Sequence, residues 1–394
     1  MELNAKRNST TRNPSRIALS YTAAIGALYF NIQPVLLGSF VESFALNEQQ
    51  VGGLSAIGLL SAFVGLGSSY FWVRKVNWQR IIAFGILVNL FATIVLYLAT
   101  GYIGVAFSSV LLGAGMALIY APVLVALGFT PNPVKSFGIA ITGMVLLAGA
   151  TVLFVPIFIV PQWGSDGFAG FLFFVFAVGL AFVRGLPIGA PNITSETSTT
   201  NTQSKHPKLA ALCLAATAVY FIGINANWSF FEIIGEFFRL SEQDISYALA
   251  SSLAFGGLGS AVAALINRRI SIPVALTVSA LGLLVYALLM MLWPNIIGFA
   301  FGVVIFNIAW NFSLPFQMEA VAACDESGRF VALIPAGQMI GGALGAGVAG
   351  FLFMAPGVTA LYLLLILSSA IAFVIFAWVN RKLQRSLSVG LTTD

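Results

Sequence analysis

Charged residues divide this chain into long uncharged runs. These runs cover residues 17–41, 49–73, 81–134, 136–165, 167–183, 209–231, 245–267, 270–318 and 330–380. A helix needs about 20 apolar residues to cross the hydrocarbon core of a membrane. The shorter runs therefore hold one crossing each, and 81–134, 270–318 and 330–380 hold two crossings and a turn. The turns are predicted at Gly101-Tyr102, Trp293-Pro294-Asn295 and Ala355-Pro356-Gly357. The pattern predicts an all-α membrane protein with twelve transmembrane helices, here called spans 1 to 12.

Composition agrees with this pattern. Hydrophobic residues make up 59% of the 394 residues, charged residues make up 8%, and the mean hydropathy is +0.97. Soluble domains carry about 25% charged residues. A water-facing surface cannot be built from so few charges, so we expect membrane lipid to surround the chain.

The basic residues predict the orientation. With the N-terminus inside, every one of the 18 Lys and Arg residues except Arg239 falls on one side of the membrane. Six acidic residues fall on the other side: Glu42, Glu48, Asp166, Glu236, Glu242 and Asp244. Lys and Arg are enriched in cytoplasmic loops. We therefore expect a multi-pass protein of the bacterial cell inner membrane with both termini cytoplasmic. The net charge of +5 reflects this topology and indicates no nucleic-acid partner.

The chain consists of two similar halves. Residues 62–68 (AFVGLGS) match residues 254–260 (AFGGLGS), and residues 46–51 match residues 240–245 at an offset of 194. Within the second match, Asn47 with Gln50 and Ser241 with Asp244 are spaced as capping boxes that begin spans 2 and 8. The polar stretch 186–208 is predicted to be a flexible cytoplasmic linker. We predict an N-terminal six-helix bundle at 1–185 and a C-terminal six-helix bundle at 209–394.

This organisation resembles the major facilitator superfamily of transporters, which has six plus six spans, a cytoplasmic linker and parallel repeats. The loop between spans 2 and 3 matches the basic part of the family's gating motif, although the aspartate of that motif is absent; the matching residues are Gly67, Arg74, Lys75 and Arg80. The resemblance implies two pseudo-symmetric bundles that rock along two seams. Span 2 would pack on span 11 in one seam and span 5 on span 8 in the other, and the glycines of these spans would allow close approach.

Polar side chains within the spans are the candidates for substrate binding, because such residues are costly in lipid and mark pathways. Asn31 and Asn225 occupy equivalent positions in spans 1 and 7. Asn225, Trp228 and Glu232 follow at i, i+3 and i+7, so they share one helical face. The full candidate set is Asn31, Gln33, Tyr120, Asn225, Trp228, Asn307, Trp310, Asn311 and Gln338. The alternative for each amide is a hydrogen bond that holds two helices together.

Two glutamates are candidates for proton coupling. Glu232 is equivalent to Gly38 of the first half and is expected to reach the cavity, although a water-exposed position at the interface is the alternative. Glu319 continues the polar side of span 10 towards the cytoplasm. No Lys or Arg lies within a predicted span, so an anionic substrate is disfavoured.

The main hypothesis is a secondary transporter that works by alternating access and moves a neutral or cationic, partly apolar small molecule. Proton coupling is a further hypothesis. A multidrug or metabolite efflux permease of the same superfamily is an alternative, and a non-transporting membrane sensor is another. An enzyme is disfavoured, because no spacing of metal ligands or phosphate-binding glycines occurs. We expect a monomer without cofactor or metal, whose partners are the small-molecule substrate, protons and membrane lipid.

Overall fold

The computed structural model describes residues 15–130, 133–189, 206–266, 269–325, 329–354 and 357–390. Within these ranges every regular element is a helix. The prediction of an all-helical membrane protein is confirmed. Most of the predicted linker, residues 190–205, lies outside the described residues.

The first half contains six spans. Their helices are Arg16–Asn31 with Gln33–Phe44 (span 1), Glu48–Trp72 (span 2), Trp78–Tyr97 (span 3), Tyr102–Gly128 (span 4), Pro133–Phe154 (span 5) and Val160–Phe182 (span 6). Span 5 continues into a π-helical turn, Val155–Ile159. The chain leaves helical geometry at Gly164, whose φ of 55° is accessible to glycine at little cost.

The second half repeats this arrangement. Its helices are Pro207–Trp228 with Phe231–Phe237 (span 7), Glu242–Ile266 (span 8), Ile272–Leu292 (span 9), Ile296–Cys324 (span 10), Arg329–Ala332 with Ile334–Met354 (span 11) and Val358–Gly390 (span 12). In both halves the first span is divided into a long and a short helix.

Length and apolarity account for all twelve spans. Among the described residues, 10 helices are long and apolar enough to cross a membrane, and the bent pair that forms span 1 raises the number to 11. One of these helices, Ile139–Gly185, has 47 residues. At 1.5 Å per residue it would extend about 70 Å, more than twice the thickness of a hydrocarbon core. It therefore makes two crossings, separated at Gly164.

The helix starts of spans 2 and 8 confirm the predicted capping. The Gln50 N–H donates to Asn47 Oδ1 at 2.9 Å, and the Asn47 N–H donates to Gln50 Oε1 at 3.0 Å. In span 8 the Asp244 N–H donates to Ser241 Oγ at 3.1 Å, and the Ser241 hydroxyl donates to the Asp244 carboxylate at 2.7 Å. In span 8 the hydroxyl of Ser241, instead of its backbone N–H, thus donates the second hydrogen bond of the capping box.

The two halves pack along both expected seams, span 2 on span 11 and span 5 on span 8. Span 2 approaches span 11 so closely that a Cβ added to Gly52 would lie 2.5 Å from the Ala346 carbonyl oxygen. Gly259 of span 8 faces span 10 instead, because a Cβ there would lie 2.5 Å from the Ile308 carbonyl. The expectation that glycines line the seam between spans 5 and 8 is therefore wrong for Gly259.

Charge distinguishes the two ends of the bundle. We call the end where spans 1 and 2 and spans 7 and 8 are joined the acidic end; it carries Glu42, Glu48, Glu236 and Glu242. The opposite end, the basic end, carries Arg16, Arg74, Lys75, Arg80 and Arg381.

Candidate functional site between the halves

The short helices of spans 1 and 7 pack against each other. Span 1 bends by 51° next to Ile32. Proline has no N–H, so Pro34 cannot donate to the carbonyl of Phe30, four residues earlier. The indole N–H of Trp228 in span 7 donates to that Phe30 oxygen at 3.0 Å. A backbone group left free by a proline in one half therefore receives its hydrogen bond from the other half.

Four side chains next to these bends form a buried hydrogen-bonded cluster, which we call the polar latch. Its members are Gln33 and Ser55 from the first half, and Asn225 and Ser229 from the second half. Gln33 Oε1 accepts from Ser229 Oγ at 2.9 Å and from Ser55 Oγ at 3.1 Å. Asn225 Nδ2 donates to Ser229 Oγ at 3.0 Å and to the Gly342 carbonyl at 3.1 Å. The two serine oxygens lie 3.2 Å apart.

The latch is isolated from solvent. All four side chains are at most 1% exposed. The bond from Ser229 to Gln33 forms only while the two halves remain together, since the two residues belong to different halves. The arrangement can thus hold the halves closed and can release them without breaking any apolar core within one half.

An aromatic cluster lies beside the latch. The ring of Trp310 is 5.8 Å from that of Trp228, 5.9 Å from Phe30 and 6.0 Å from Phe221. Its indole nitrogen is buried and has no hydrogen-bond partner among the described residues. An unsatisfied buried donor costs about 1–3 kcal/mol. Trp310 can therefore donate to a ligand that enters this region.

Asn307 and Asn311 of span 10 share a face, and that face is turned towards span 8. Asn307 is buried and donates to Ser252 Oγ at 2.9 Å. Asn311 is half-buried and donates to the Asn307 carbonyl at 2.9 Å. Gly256 gives Asn311 its space, because a Cβ there would lie 2.8 Å from the amide nitrogen. Asn307 thus joins two helices of the same half, while its Oδ1 has no described partner.

Three further candidates are half-buried within the bundle: Asn31, Tyr120 and Gln338. Asn31 donates to the Ala27 carbonyl of its own helix at 2.9 Å. Span 4 crosses span 1 closely near Tyr120, since a Cβ on Gly26 would lie 3.3 Å from the Tyr120 Cα.

Glu232 contacts the position to which the repeat relates it. A Cβ on Gly38 would collide with the Glu232 carboxyl group, so only glycine leaves room for it. Two equivalent residues that touch each other lie on the pseudo-twofold axis between the halves. Glu232 is 8% exposed, and its Oε2 has no described hydrogen-bond partner. The water-exposed alternative considered for Glu232 is therefore wrong.

The remaining candidates lie near the basic end. Glu319 is exposed near the end of span 10, away from the latch. Arg74, Lys75 and Arg80 are exposed, whereas a Cβ on Gly67 would lie 4.0 Å from Ala336 of span 11. The start of span 3 also binds the chain that follows span 6, because the Trp78 N–H donates to the Ile188 carbonyl at 2.6 Å.

No pattern in the sequence indicated Ser55, Ser229 or the carbonyl of Gly342. Serine is frequent in these spans, and a backbone carbonyl leaves no trace in a sequence pattern. Only the contact between the halves distinguishes these groups from other small polar residues.

Comparison with known proteins shows similarity at the level of structure. No protein-family model matches the chain, and no curated protein matches it. A bacterial homologue of the human lysosomal transporter Spinster, solved in an inward-facing and unoccupied conformation, matches with a TM-score of 0.67 and 17% identity, over 94% of this chain and 96% of its own. A variant of peptide transporter POT in complex with sulfate matches with a TM-score of 0.74 and 15% identity, over 94% of this chain and 95% of its own. A variant of nucleoside transporter NupG matches with a TM-score of 0.69 and 10% identity, over 92% of this chain and 99% of its own.

Proposed function

We propose that this chain, which has the fold of major facilitator superfamily transporters, is a secondary transporter that moves a small molecule by alternating access. The observation that carries this proposal is the polar latch. It joins the two halves by hydrogen bonds at the bends of spans 1 and 7, and these bonds can be exchanged for water when the halves separate. The two glycine-lined backbones of spans 2 and 11 would slide or separate in the same movement.

The substrate is proposed to be a neutral or cationic, partly apolar molecule. Trp310 Nε1 offers a donor, and the amide oxygens of Asn225 and Asn307 offer acceptors that no described group satisfies. Aromatic rings pack around Trp310, which favours an apolar portion in the substrate. The described spans carry no Lys or Arg at the depth of the latch, so nothing there would neutralise an anion.

The proposed substrate contacts fall into two groups. Trp310, Asn311, Asn31, Tyr120 and Gln338 keep unpartnered or partly accessible polar atoms and would line the pathway. Three other candidates serve the closed contact between the halves and would reach substrate only when it opens; they are Gln33, Asn225 and Trp228. Asn307 would contribute through its free oxygen.

The topology is proposed from the charge distribution. The acidic end would face outside and the basic end the cytoplasm, because basic loops remain cytoplasmic. This places both termini and the linker at 186–208 in the cytoplasm of a bacterial cell. The bundles at 1–185 and 209–394 would move as two domains within a monomer.

Transport is tested with purified protein in proteoliposomes. Vesicles loaded with single compounds from a panel of neutral, cationic and anionic metabolites are assayed for exchange with the same labelled compound. We expect exchange for at least one neutral or cationic compound. Exchange of anions alone, or of none of the compounds under conditions where the protein remains folded, would contradict the proposal.

The substrate contact is tested by Trp310→Phe, which keeps an aromatic ring and removes the N–H. Loss of one hydrogen bond worth about 1 kcal/mol weakens binding about five-fold. Trp378→Phe is the matched control, because Trp378 is 50% exposed on the outer surface of span 12. Equal affinities of the two variants would contradict a contact between Trp310 and substrate.

Proton coupling is proposed at Glu232 and not at Glu319. Glu232 lies on the axis between the halves, whereas Glu319 is exposed near the basic end. Glu232→Gln is expected to keep exchange but to abolish accumulation driven by a pH gradient, while Glu319→Gln retains both. Accumulation by Glu232→Gln at the level of the unmodified protein would refute this assignment.

A further inference from the structure

A stripe of exposed apolar side chains on span 3 ends in an arginine at the basic end. Phe84, Leu87, Phe91 and Ile94 are between 43% and 56% exposed. They follow the exposed Arg80 at intervals of three or four residues, so all of them share one face of the helix. At 1.5 Å per residue the stripe is about 21 Å long. This is more than half of a hydrocarbon core of about 30 Å, so the stripe is long enough for the acyl chains of one leaflet.

Span 6 carries a second exposed stripe next to the first. Phe174 is 66% exposed, and Ala181 and Arg184 are exposed on the same face, seven and ten residues further on. Arg184 lies in a 3₁₀ turn, Val183–Gly185, which directly follows span 6. Spans 3 and 6 pack against each other, and the 3₁₀ turn contacts span 3. Two neighbouring lipid-facing stripes therefore end in an arginine at the same end of the bundle.

Hydrogen bonds hold the two arginine-bearing segments together. The Trp78 N–H donates to the Ile188 carbonyl at 2.6 Å, and Gln79 Nε2 donates to the Leu186 carbonyl at 2.7 Å. Each bond joins the start of span 3 to the chain that follows span 6. Both arginines lie within two residues of the second bond, so their backbones are fixed at one corner of the bundle.

This corner has no acidic neighbour among the described residues. The sequence contains no Asp or Glu in 49–165 or in 167–195. The described acidic residues of the first half lie at the opposite end of the bundle: Glu42, Glu48 and Asp166. Arg74 and Lys75 of the loop between spans 2 and 3 are exposed as well and add to the positive charge. A cluster of cations without carboxylates attracts anions.

The second half shows the same surface without the arginine. Spans 3 and 9 begin after the N-cap residues Asn77 and Ser271. Arg80 is the third residue after its cap, and the third residue after Ser271 is Val274, which is 52% exposed. The basic end of the second half also carries an exposed carboxylate, Glu319. Exposure to lipid at this depth therefore does not require an arginine.

We propose that Arg80 and Arg184 bind the phosphate of an anionic phospholipid, whose acyl chains lie along the stripes of spans 3 and 6. Guanidinium groups bind phosphate oxygens through paired N–H donors. A zwitterionic lipid fits less well, because its ammonium group would approach Arg74 and Lys75 and find no carboxylate among the described residues. In the proposed topology the lipid belongs to the cytoplasmic leaflet, which is rich in anionic lipid.

The proposed lipid site is independent of transport. The lipid would connect span 3 to span 6 within the first half and would not join this half to the second. Binding can be measured without substrate, so a negative transport assay leaves the lipid site untouched, and loss of lipid binding leaves the transport proposal untouched.

The affinity is measured by native mass spectrometry of the detergent-solubilised protein. It is titrated with phosphatidylglycerol, which is anionic, or with phosphatidylethanolamine of the same acyl chains, which is zwitterionic. We expect phosphatidylglycerol to bind more tightly. Each cation close to an anionic lipid contributes about five-fold, so Arg80→Gln combined with Arg184→Gln should weaken phosphatidylglycerol binding roughly thirty-fold.

Arg381→Gln combined with Lys382→Gln is the matched control, because both residues are exposed at the basic end but belong to the second half. This control should keep the affinity of the unmodified protein. Thermal unfolding without added lipid should be the same for both double variants, since all four side chains are exposed.

A second measurement locates the lipid with the arginines intact. Leu87→Trp and Leu281→Trp place a fluorophore at the tenth residue after the N-caps of spans 3 and 9, where the native side chains are 53% and 57% exposed. In vesicles of phosphatidylcholine with a small fraction of brominated phosphatidylglycerol, quenching should be stronger for Leu87→Trp. Brominated phosphatidylcholine should quench both variants equally.

Four outcomes would overturn the proposal. The first is an unchanged affinity for phosphatidylglycerol after replacement of Arg80 and Arg184, and the second is an equal loss in the Arg381 and Lys382 control. The third is equal binding of the anionic and zwitterionic lipids, or equal quenching of the two tryptophan variants by brominated phosphatidylglycerol. The fourth is displacement of the lipid by inorganic phosphate at equal concentration, which would indicate a site for soluble phosphate.

Discussion

The replacement Ser229→Ala tests the polar latch with the loss of a single oxygen atom. The Ser229 hydroxyl is the main link across the latch: it donates to Gln33 of the first half at 2.9 Å and lies 3.2 Å from the Ser55 hydroxyl. Alanine fits the same space, and Ser229 lies in the break between the two helices of span 7. Gln33 Oε1 still accepts from Ser55, and Asn225 still donates to the Gly342 carbonyl, so few groups lose their last partner.

The magnitude follows from the number of bonds that cross between the halves. A serine hydroxyl has one proton, so Ser229 makes one donated bond to the first half and at most one accepted bond from it. A hydrogen bond contributes about 0.6 kcal/mol within membrane proteins and about 1 kcal/mol in general. Loss of one or two bonds therefore shifts the equilibrium by about 0.6–2 kcal/mol, or roughly three- to thirty-fold towards the open acidic end.

Spin labels attached to Thr100→Cys in the first half and to Pro294→Cys in the second report this shift as a change in the distance between the halves at the acidic end. The distance is measured at constant pH by electron–electron double resonance. Ser279→Ala is the matched control. Ser279 is also fully buried and donates to the Ala309 carbonyl at 2.8 Å, but this bond lies within the second half, because Ser279 and Ala309 both belong to it. We expect a smaller closed fraction for Ser229→Ala and an unchanged one for Ser279→Ala. Thermal unfolding of both variants shows whether the effect is confined to the contact between the halves.

Two outcomes would refute the reasoning. If Ser229→Ala and Ser279→Ala lower the unfolding temperature equally and neither changes the closed fraction, the latch is ordinary packing. If Ser229→Ala weakens substrate binding without changing the distance distribution, Ser229 acts as a ligand contact and does not hold the halves together.

Two further replacements distinguish contacts between the halves from contacts within one half. Gly52→Ala should lower the closed fraction, because the new Cβ would lie 2.5 Å from the Ala346 carbonyl of the opposite half. Gly53→Ala is the control in the same distance measurement, because a Cβ there meets only the Tyr102 hydroxyl. Asn227→Leu should lower the stability of the second half by about 1–3 kcal/mol, because Tyr286 donates to Asn227 Oδ1 at 2.8 Å within that half. This variant is checked by thermal unfolding, and a change in its closed fraction would contradict the distinction.

The predicted site residues fall into two groups, those that contact the other half and those that contact only their own half. Trp228 was predicted from helical spacing and Trp310 as a member of the candidate set within span 10, and the structure brings their rings to 5.8 Å from each other. Asn225 was predicted from its equivalence with Asn31, Gln33 was predicted as a polar side chain within span 1, and both Asn225 and Gln33 lie in the latch. Asn307 faces span 8 in its own half. Spacing identifies the face of a helix that carries polar atoms, but the rotation of that helix against its neighbours decides what the face contacts.

The sequence by itself determined the number of spans, their approximate ends and the division into halves. These features depend on local quantities: the length of an apolar run against the thickness of a bilayer, the caps at Asn47 and Ser241, and an internal repeat. The membrane stabilises any sufficiently long apolar helix, whatever that helix packs against. Composition alone is therefore enough to predict the number and approximate ends of the spans.

Only the tertiary structure decided which polar atoms meet. The hydrogen bond from Trp228 to Phe30 joins residues 198 positions apart, and the contact of Glu232 with Gly38 depends on the axis that relates the halves. Apolar helices can pack in lipid at many rotations with similar burial, so the hydrophobic pattern does not fix these pairs. Close approach at glycines and the satisfaction of a few buried polar groups select among those rotations, and both act between segments that are distant in the chain.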